Sequence, residues 1–377
     1  MDKDIKTIMN EILQQAVSLP FISLRATTSY HINSPDMIRY VNNTLTTTPD
    51  IYTIIGNNPL RIMYDNHKHH AAFMTTVFNI NNYELLAKTV PWVYRTYYSH
   101  GFKFEYFIIE LKAWIEANDI YLDKKDADDI NVIYEWLISR HPDIIKIALS
   151  EIDYSLPISE NWLELKNNFQ SALLDGDHRK ALELAQDSIK NDLKLQDFYL
   201  YIIQPSMYEI GIMWEKAEIT VAQEHLASAI VGRIMASINM NKNSNMNKDV
   251  GRVIVTASPN EFHEIGAWMI ADTLEQDGWD VRYLGANMPK DDLILFIKSF
   301  IPDLLAISVT MPFNINYVKE VIEEIRNDNE LQNIKVMIGG RVFNETPKLW
   351  QSTGADGFAA NLEDAKHIAK KMVTPNR

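Results

Sequence analysis

"ASPNEFHEIGAWMIADTLEQDGWDVRYLGANMP", residues 257–289, sets an acidic residue and a histidine, Glu261 and His263, between two apolar stretches of different period. The preceding "RVIVTA" (252–257) is rich in β-branched residues and reads as a buried strand. Beyond Pro259 and Asn260, the residues Ile265, Met269, Ile270 and Leu274 recur at helical spacing, which predicts a helix from about His263 to Asp277, stopped by Gly278. The pair therefore falls where a strand gives way to a helix.

The same alternation continues to the C-terminus. "WDVRYLG" reads as a strand and the segment after Pro289 as a helix; "DLLAISV" (303–309), "IKVMIGG" and "GADGFAAN" read as further strands, with helices over "INYVKEVIEEIRND" and Leu362 to Met372. Five βα units of this length imply a mostly parallel sheet covered by helices on both faces. In a flavodoxin-like strand order, the ligand crevice lies beyond the C-terminal ends of the first and third strands. Glu261 and His263 follow the first strand, Ser308 and Thr310 end the third, and Gly339 and Gly340 close the fourth, so three loops are expected on one rim. Neither GxGxxG nor GxxxxGK[ST] follows the first strand, which removes support for a dinucleotide site or a P-loop.

An imidazole can ligate a transition metal through one nitrogen while the other donates to a carboxylate, which fixes its tautomer. Glu261 is close enough in sequence to be that carboxylate. A His263 that merely caps or packs the helix is the simpler alternative, and Gly339–Gly340 alone could be a structural turn.

Composition narrows the classes. The 377 residues include 36 Lys and Arg against 50 Asp and Glu, a formal net charge of -14, which opposes non-specific attraction to nucleic acid or anionic lipid. There is no cysteine, so thiolate catalysis, disulfides and cysteine metal sites are excluded. No apolar run is long enough for export or for a membrane span, so a cytoplasmic location without membrane association is expected.

The combination "E261-F-H263-E-I-G266", then "S308-V-T310", then "G339-G340" resembles the B12-binding domain family, with its DxHxxG, SxL or SxT, and GG. The resemblance covers about residues 250–375. It implies that His263 is the lower axial ligand to cobalt and that Glu261, in place of the usual Asp, bonds to it. Gly266, Ser308, Thr310, Gly339 and Gly340 would line the slot for the displaced nucleotide tail.

Upstream, apolar residues at helical spacing predict about four helices between residues 164 and 243, followed by a polar linker, "MNKNSNMNKD". Within them, "W214-EKAEITVAQ-E224-H225" resembles the helical cap of cobalamin-dependent photoreceptors, although Trp214 could equally be core and Glu224–His225 an ordinary helix surface. The likeness implies that Trp214 packs against the upper axial group of adenosylcobalamin, that Glu224 bonds its adenosyl group and that His225 organises the cap. Some such photoreceptors carry a histidine directly after the Trp; here that residue is Glu215. The resemblance favours a light sensor over an enzyme, with photolysis coupled to a change in cap or assembly. A corrinoid methyl carrier of a methyltransferase system is the alternative.

The expected fold class is α/β plus all-α: a helical N-terminal domain (1–160), a helical-bundle cobalamin cap (161–245), and a Rossmann-like, flavodoxin-like cobalamin-binding domain (250–377). In the first region, "SLRATTSYHINSPDMIRYVNNTLTTTPD" reads as polar and irregular with short helices, while residues 83–118 read as aromatic and helical, with further helices near 125–150. His67, His69 and His70 read most simply as a solvated helix surface. The aromatic stretch weakly resembles photoreceptors that combine B12 with a bilin such as biliverdin, which implies a non-covalent tetrapyrrole with polar contacts from His69, Arg95 or His100. Signal output is expected to pass through this region to a protein partner or a homo-oligomer, without direct nucleic-acid binding.

Overall fold

The computed structural model describes residues 3–151, 158–190, 194–240, 248–346 and 348–373. The predicted linker at 240–249 lies largely outside them. The chain divides into two compact units, Met1–Asp153 with Glu215–Ala217, and Tyr154–Trp214 with Glu218–Arg377.

The first unit is helical: α1 (Lys3–Val17), α2 (Leu24–Thr46), the single turn α3 (Ile51–Ile54), α4 (Leu60–Ile80), α5 (Tyr83–Ser99), α6 (Glu105–Tyr121) and α7 (Lys124–Ala148). The stretch expected to be irregular is the long helix α2. Its Ala26, Tyr30, Met37, Val41 and Leu45 are buried at helical spacing, and that apolar stripe outweighs the low propensity of its Ser, Thr and Asn residues. Those polar side chains bond back to the helix: Asn33 donates to the Ser29 carbonyl, and Ser34 Oγ donates to the His31 carbonyl, the acceptor left without its usual partner by Pro35. Within this unit the buried carboxylate of Glu215 accepts hydrogen bonds from Arg95 Nε at 3.0 Å and Trp92 Nε1 at 3.1 Å. His100 bonds to the Thr96 carbonyl of its own helix.

The second unit begins with α8 (Glu160–Leu174), α9 (His178–Lys190), the short α10 (Leu195–Phe198), which runs through a wider turn at Tyr199–Ile203 into α11 (Gln204–Glu215), and α12 (Val221–Met240). Phe169, Phe198, Ile202, Ile210, Ala227 and Val231 form their shared core. The sheet follows as β1 (Arg252–Ala257), α13 (Ile265–Gln276), β2 (Asp280–Tyr283), α14 (Lys290–Phe300), β3 (Leu304–Ser308), α15 (Ile315–Asn327), β4 (Lys335–Gly339), α16 (Arg341–Glu345), β5 (Gly357–Ala359) and α17 (Leu362–Val373).

All five strands are parallel, in the order β2-β1-β3-β4-β5. One face packs Val253, Val255, Leu304, Ala306 and Met337 against the small residues of α13 and α17. On the other face Ile254, Leu305, Ile307 and Ile338 are also buried, as are the apolar stripes of α14 and α15, the double cover a parallel sheet requires. The helical bundle is joined to this domain through α13: Met269 belongs to the bundle core, and Tyr199 donates a buried hydrogen bond of 2.5 Å to Asp272. The predicted α/β plus all-α architecture is the observed one, with the strand order reversing between β1 and β3.

Candidate functional site

Glu261 lies in the β1–α13 loop, which is fixed by two residues with left-handed backbones, Asn260 and Asn287. The Asn260 N–H donates to Asn287 Oδ1 and the Asn287 N–H donates to the Glu261 carbonyl, so the loop after β2 braces the loop after β1. The Glu261 side chain is buried, 1% exposed, and both of its oxygens are engaged. Oε2 accepts from the Thr310 N–H at 2.9 Å, the Met311 N–H at 2.8 Å and Asn314 Nδ2 at 3.1 Å. Oε1 meets His263 Nδ1 at 2.5 Å.

This arrangement sets the electrostatics. Burial acts to raise the Glu261 carboxyl, but the His263 contact and the donors from Met311 and Asn314 outweigh it and hold the group at about 2. The His263 imidazole feels burial pulling it down; the bond to Glu261 and the charge of Glu224 raise it above its ordinary value against the opposing charge of Arg341. With Nδ1 committed to a carboxylate, Nε2 is the nitrogen left for another partner, and the side chain is 58% exposed.

The remaining rim is shaped by what it lacks. Gly340 has φ of 107°, and a Cβ there would stand 2.2 Å from the Val309 carbonyl oxygen; at Gly339 a Cβ would meet the Ala359 carbonyl oxygen at 2.8 Å. Gly266, exposed at the start of α13, faces Ser308, whose Oγ would lie 4.0 Å from an added Cβ. Gly266 and Ser308 are thus brought together. Thr310 contributes through its backbone, as a donor to Glu261.

In the bundle, Thr220 and Gln223 form a reciprocal cap at the start of α12: the Thr220 N–H donates to Gln223 Oε1 and the Gln223 N–H to Thr220 Oγ1. That cap places Glu224 and His225 on the first turn. Glu224 accepts from Ser228 Oγ at 2.8 Å and meets His225 Nδ1 at 2.6 Å, and its charge reaches His263. His225 is 75% exposed. Trp214, at the end of α11, packs partly buried against the bundle core. Asn314 and Arg341 were not singled out in the sequence; the only cue to either is position, just beyond the Ser308–Thr310 and Gly339–Gly340 motifs.

Among the described residues no three His, Asp or Glu side chains cluster as a metal cage. A corrinoid would not need such a cage: one oriented imidazole, as at His263, would be enough for the protein to ligate its cobalt. The glycine-lined rim beside it fits a bulky group approaching the backbone closely. A cavity of about 240 Å³ lined by Lys194, Gln276, Asp277 and Lys366 lies at the other end of α13, away from this chemistry.

Residues 251–368 match the family described as B12 binding domain, and residues 165–239 match a second family with the same description. Together the two matches span the helical bundle and the sheet domain of the second unit. A corrinoid protein of Desulfitobacterium hafniense is 22% identical over 215 residues, covering 56% of this chain and 98% of that protein. Dimethylamine corrinoid protein 1 of Methanosarcina acetivorans is 22% identical over 197 residues, covering 52% of this chain and 91% of that protein. The solved monomethylamine corrinoid protein of Methanosarcina barkeri is 19% identical with a TM-score of 0.49, covering 55% of this chain and 98% of that one. The two family matches support cobalamin binding, and the two sequence relatives are named as corrinoid proteins, not as photoreceptors. No described helix is long and apolar enough to cross a membrane.

Proposed function

We propose that this chain is a corrinoid carrier that holds its cofactor with His263 below the cobalt and serves methyl transfer between partner proteins. The observation that carries the reading is the Glu261 carboxylate, pinned by two backbone N–H groups and Asn314 so that it fixes His263 by Nδ1, which leaves Nε2 as the nitrogen for a metal. Gly266, Ser308, Gly339 and Gly340 would leave room for the displaced tail. When bound, the corrinoid supplies a cobalt able to accept and release a methyl group. The chain's part is to orient the imidazole, to tune it through Glu261, and to cover the upper side with the bundle bearing Trp214 and Glu224. Relatives named for corrinoid and dimethylamine support this reading over the sensor, and a carrier implies protein partners that donate and accept the methyl group.

The test is to load the full chain with hydroxocobalamin, reduce it to cobalt(II), and record its magnetic-resonance spectrum. A nitrogen splitting from a protein imidazole that disappears in His263→Ala is the expected result. The splitting should change when the chain's histidines are labelled with 15N; a splitting that does not follow the label would remove His263 from the cobalt.

The second reading, a light sensor carrying adenosylcobalamin, rests on the spacing of Trp214, Glu224 and His225. Mass spectrometry of small molecules extracted in darkness separates the two. Methylcobalamin with transfer to a thiol or pterin acceptor supports the carrier; adenosylcobalamin, with an assembly change on illumination, supports the sensor. A co-extracted tetrapyrrole would extend the sensor reading to a bilin in the N-terminal region, and absence of any saturable spectral shift on adding biliverdin would end that extension.

A further inference from the structure

Arg341 directly follows the glycine pair, and the backbone forces its position: Gly340 adopts a left-handed φ that brings the chain against the Val309 carbonyl, so the next residue must emerge at the rim. Its Nε donates to Glu345 Oε1 at 2.7 Å, and its guanidinium carbon lies 6.0 Å from the centre of the Tyr208 ring on α11. The guanidinium therefore stands between the glycine-lined wall and the bundle.

A cation at that place, on the residue after the glycine pair and over the Tyr208 ring, bears on what enters. Cobalamin carries a phosphodiester in the tail that joins the corrin to its benzimidazole, and ligation of cobalt by a protein imidazole requires that tail to leave the cobalt. The anion must then be accommodated near the rim of a chain whose formal net charge is -14. Glu224 and Glu261 repel it, and a guanidinium offers the forked donors that suit phosphate oxygens.

We infer that Arg341 recognises the phosphodiester of the cobalamin tail, making this residue a determinant of selection for complete corrinoids over those without a nucleotide. The inference rests on the cobalamin reading above. Its test compares hydroxocobalamin with diaquacobinamide, the same corrin without phosphate or base, by equilibrium titration of the full chain followed by visible absorption. Arg341→Gln is expected to weaken hydroxocobalamin roughly 10- to 100-fold, the range of a charge-assisted hydrogen bond, with cobinamide affinity unchanged and Arg341→Lys intermediate. Glu345→Ala, which removes the Arg341 partner but keeps the cation, should leave the preference for hydroxocobalamin in place.

Equal losses for both corrinoids, or a Glu345→Ala loss matching that of Arg341→Gln, would reduce Arg341 to a structural ion pair and overturn the inference. No loss in Arg341→Gln overturns it as well. If the unaltered chain binds neither corrinoid, the cobalamin reading fails first; if it binds both and only the Arg341 variants behave alike, the failure is confined to this residue.

Discussion

The two units each contain a glutamate and histidines in a hydrogen-bonded network, and the networks end differently. In the second unit Glu261 is held by backbone N–H groups and passes its orientation to one histidine that is more than half exposed. In the first, Asn42 Oδ1 meets His67 Nδ1, His67 Nε2 meets the Tyr106 hydroxyl, and Asn66 bonds both Tyr106 and Glu110. His70, stacked on Trp114, meets the Tyr134 hydroxyl, which in turn meets that of Tyr30. This second network closes on side chains inside four helices. An oriented group that reaches the surface can act on a ligand, whereas one whose partners are all internal acts on the fold.

Stability and binding should therefore separate, and the largest effects test that separation. Glu110→Ala leaves the donors of Asn66 and Trp114 buried without their acceptor and should cost about 3 kcal/mol of unfolding free energy, measured by denaturant titration. His263→Ala removes a half-exposed side chain but takes one partner from the buried Glu261 carboxylate, whose Oε1 keeps the His263 backbone N–H; it should cost about 1 kcal/mol, well below Glu110→Ala, while cobalamin affinity falls and the protein-imidazole signature is lost. A large stability loss in His263→Ala would break the comparison. Glu261→Gln keeps the shape but not the charge, and should weaken cobalamin about 10- to 100-fold, as substitutions behind a metal ligand do.

The pH dependence sharpens the contrast. Burial pushes Glu110 up to about 8 and His67 and His70 down to about 3, so all three are neutral in the folded unit near neutrality. A raised carboxyl binds more protons when folded, so its contribution is complete below its ordinary value of 4.5 and is lost as pH rises to about 8. The lowered histidines bind more protons when unfolded, so theirs is complete above 6.5 and is lost as pH falls toward 3. Between 4.5 and 6.5 the lowered histidines, His69 and His141 among them, outweigh one carboxyl and stability still rises with pH; once they are neutral in both states the carboxyl alone remains, and stability is expected to decline by about 1.4 kcal/mol per pH unit toward pH 8. Glu110→Gln, neutral at every pH, should abolish that alkaline decline in a denaturation series. A decline that persists would place its origin elsewhere.

The same contrast explains what the sequence disclosed. Strand order and the Glu261–His263 loop were legible because a parallel sheet delivers its strand ends to one rim and each motif is continuous in the chain. The internal network was not. Its members are spread over α2, α4, α6 and α7, and no local spacing announces that Asn42, His67 and Glu110 converge; His67 and His70, read as a solvated surface, are respectively fully buried and mostly buried. Helix α2 was missed for a related reason: its polar residues satisfy themselves on their own backbone, which only the packed stripe of Tyr30, Met37 and Val41 makes worthwhile. Asn314 and Arg341 escaped notice because their roles depend on loops fixed by Glu261 and Gly340.

The smallest expected effect concerns His225, the most exposed residue of the cap pair. Its imidazole meets Glu224, but Glu224 is also held by Ser228, so losing the histidine should leave the carboxylate oriented. An exposed pair of this kind contributes about 0–1 kcal/mol. His225→Ala should accordingly alter neither the unfolding midpoint nor cobalamin affinity by more than about twofold, in contrast to Glu261→Gln, whose carboxylate has no substitute partner for its histidine. The two histidine–glutamate pairs of the second unit would then differ as their carboxylates do: Glu261 is 1% exposed and held by two backbone N–H groups and Asn314, Glu224 27% exposed and held by Ser228. A loss of affinity above tenfold in His225→Ala, with the unfolding midpoint unchanged, would show instead that the bundle's histidine touches the bound cofactor, and the cap pair would join His263 in the binding site.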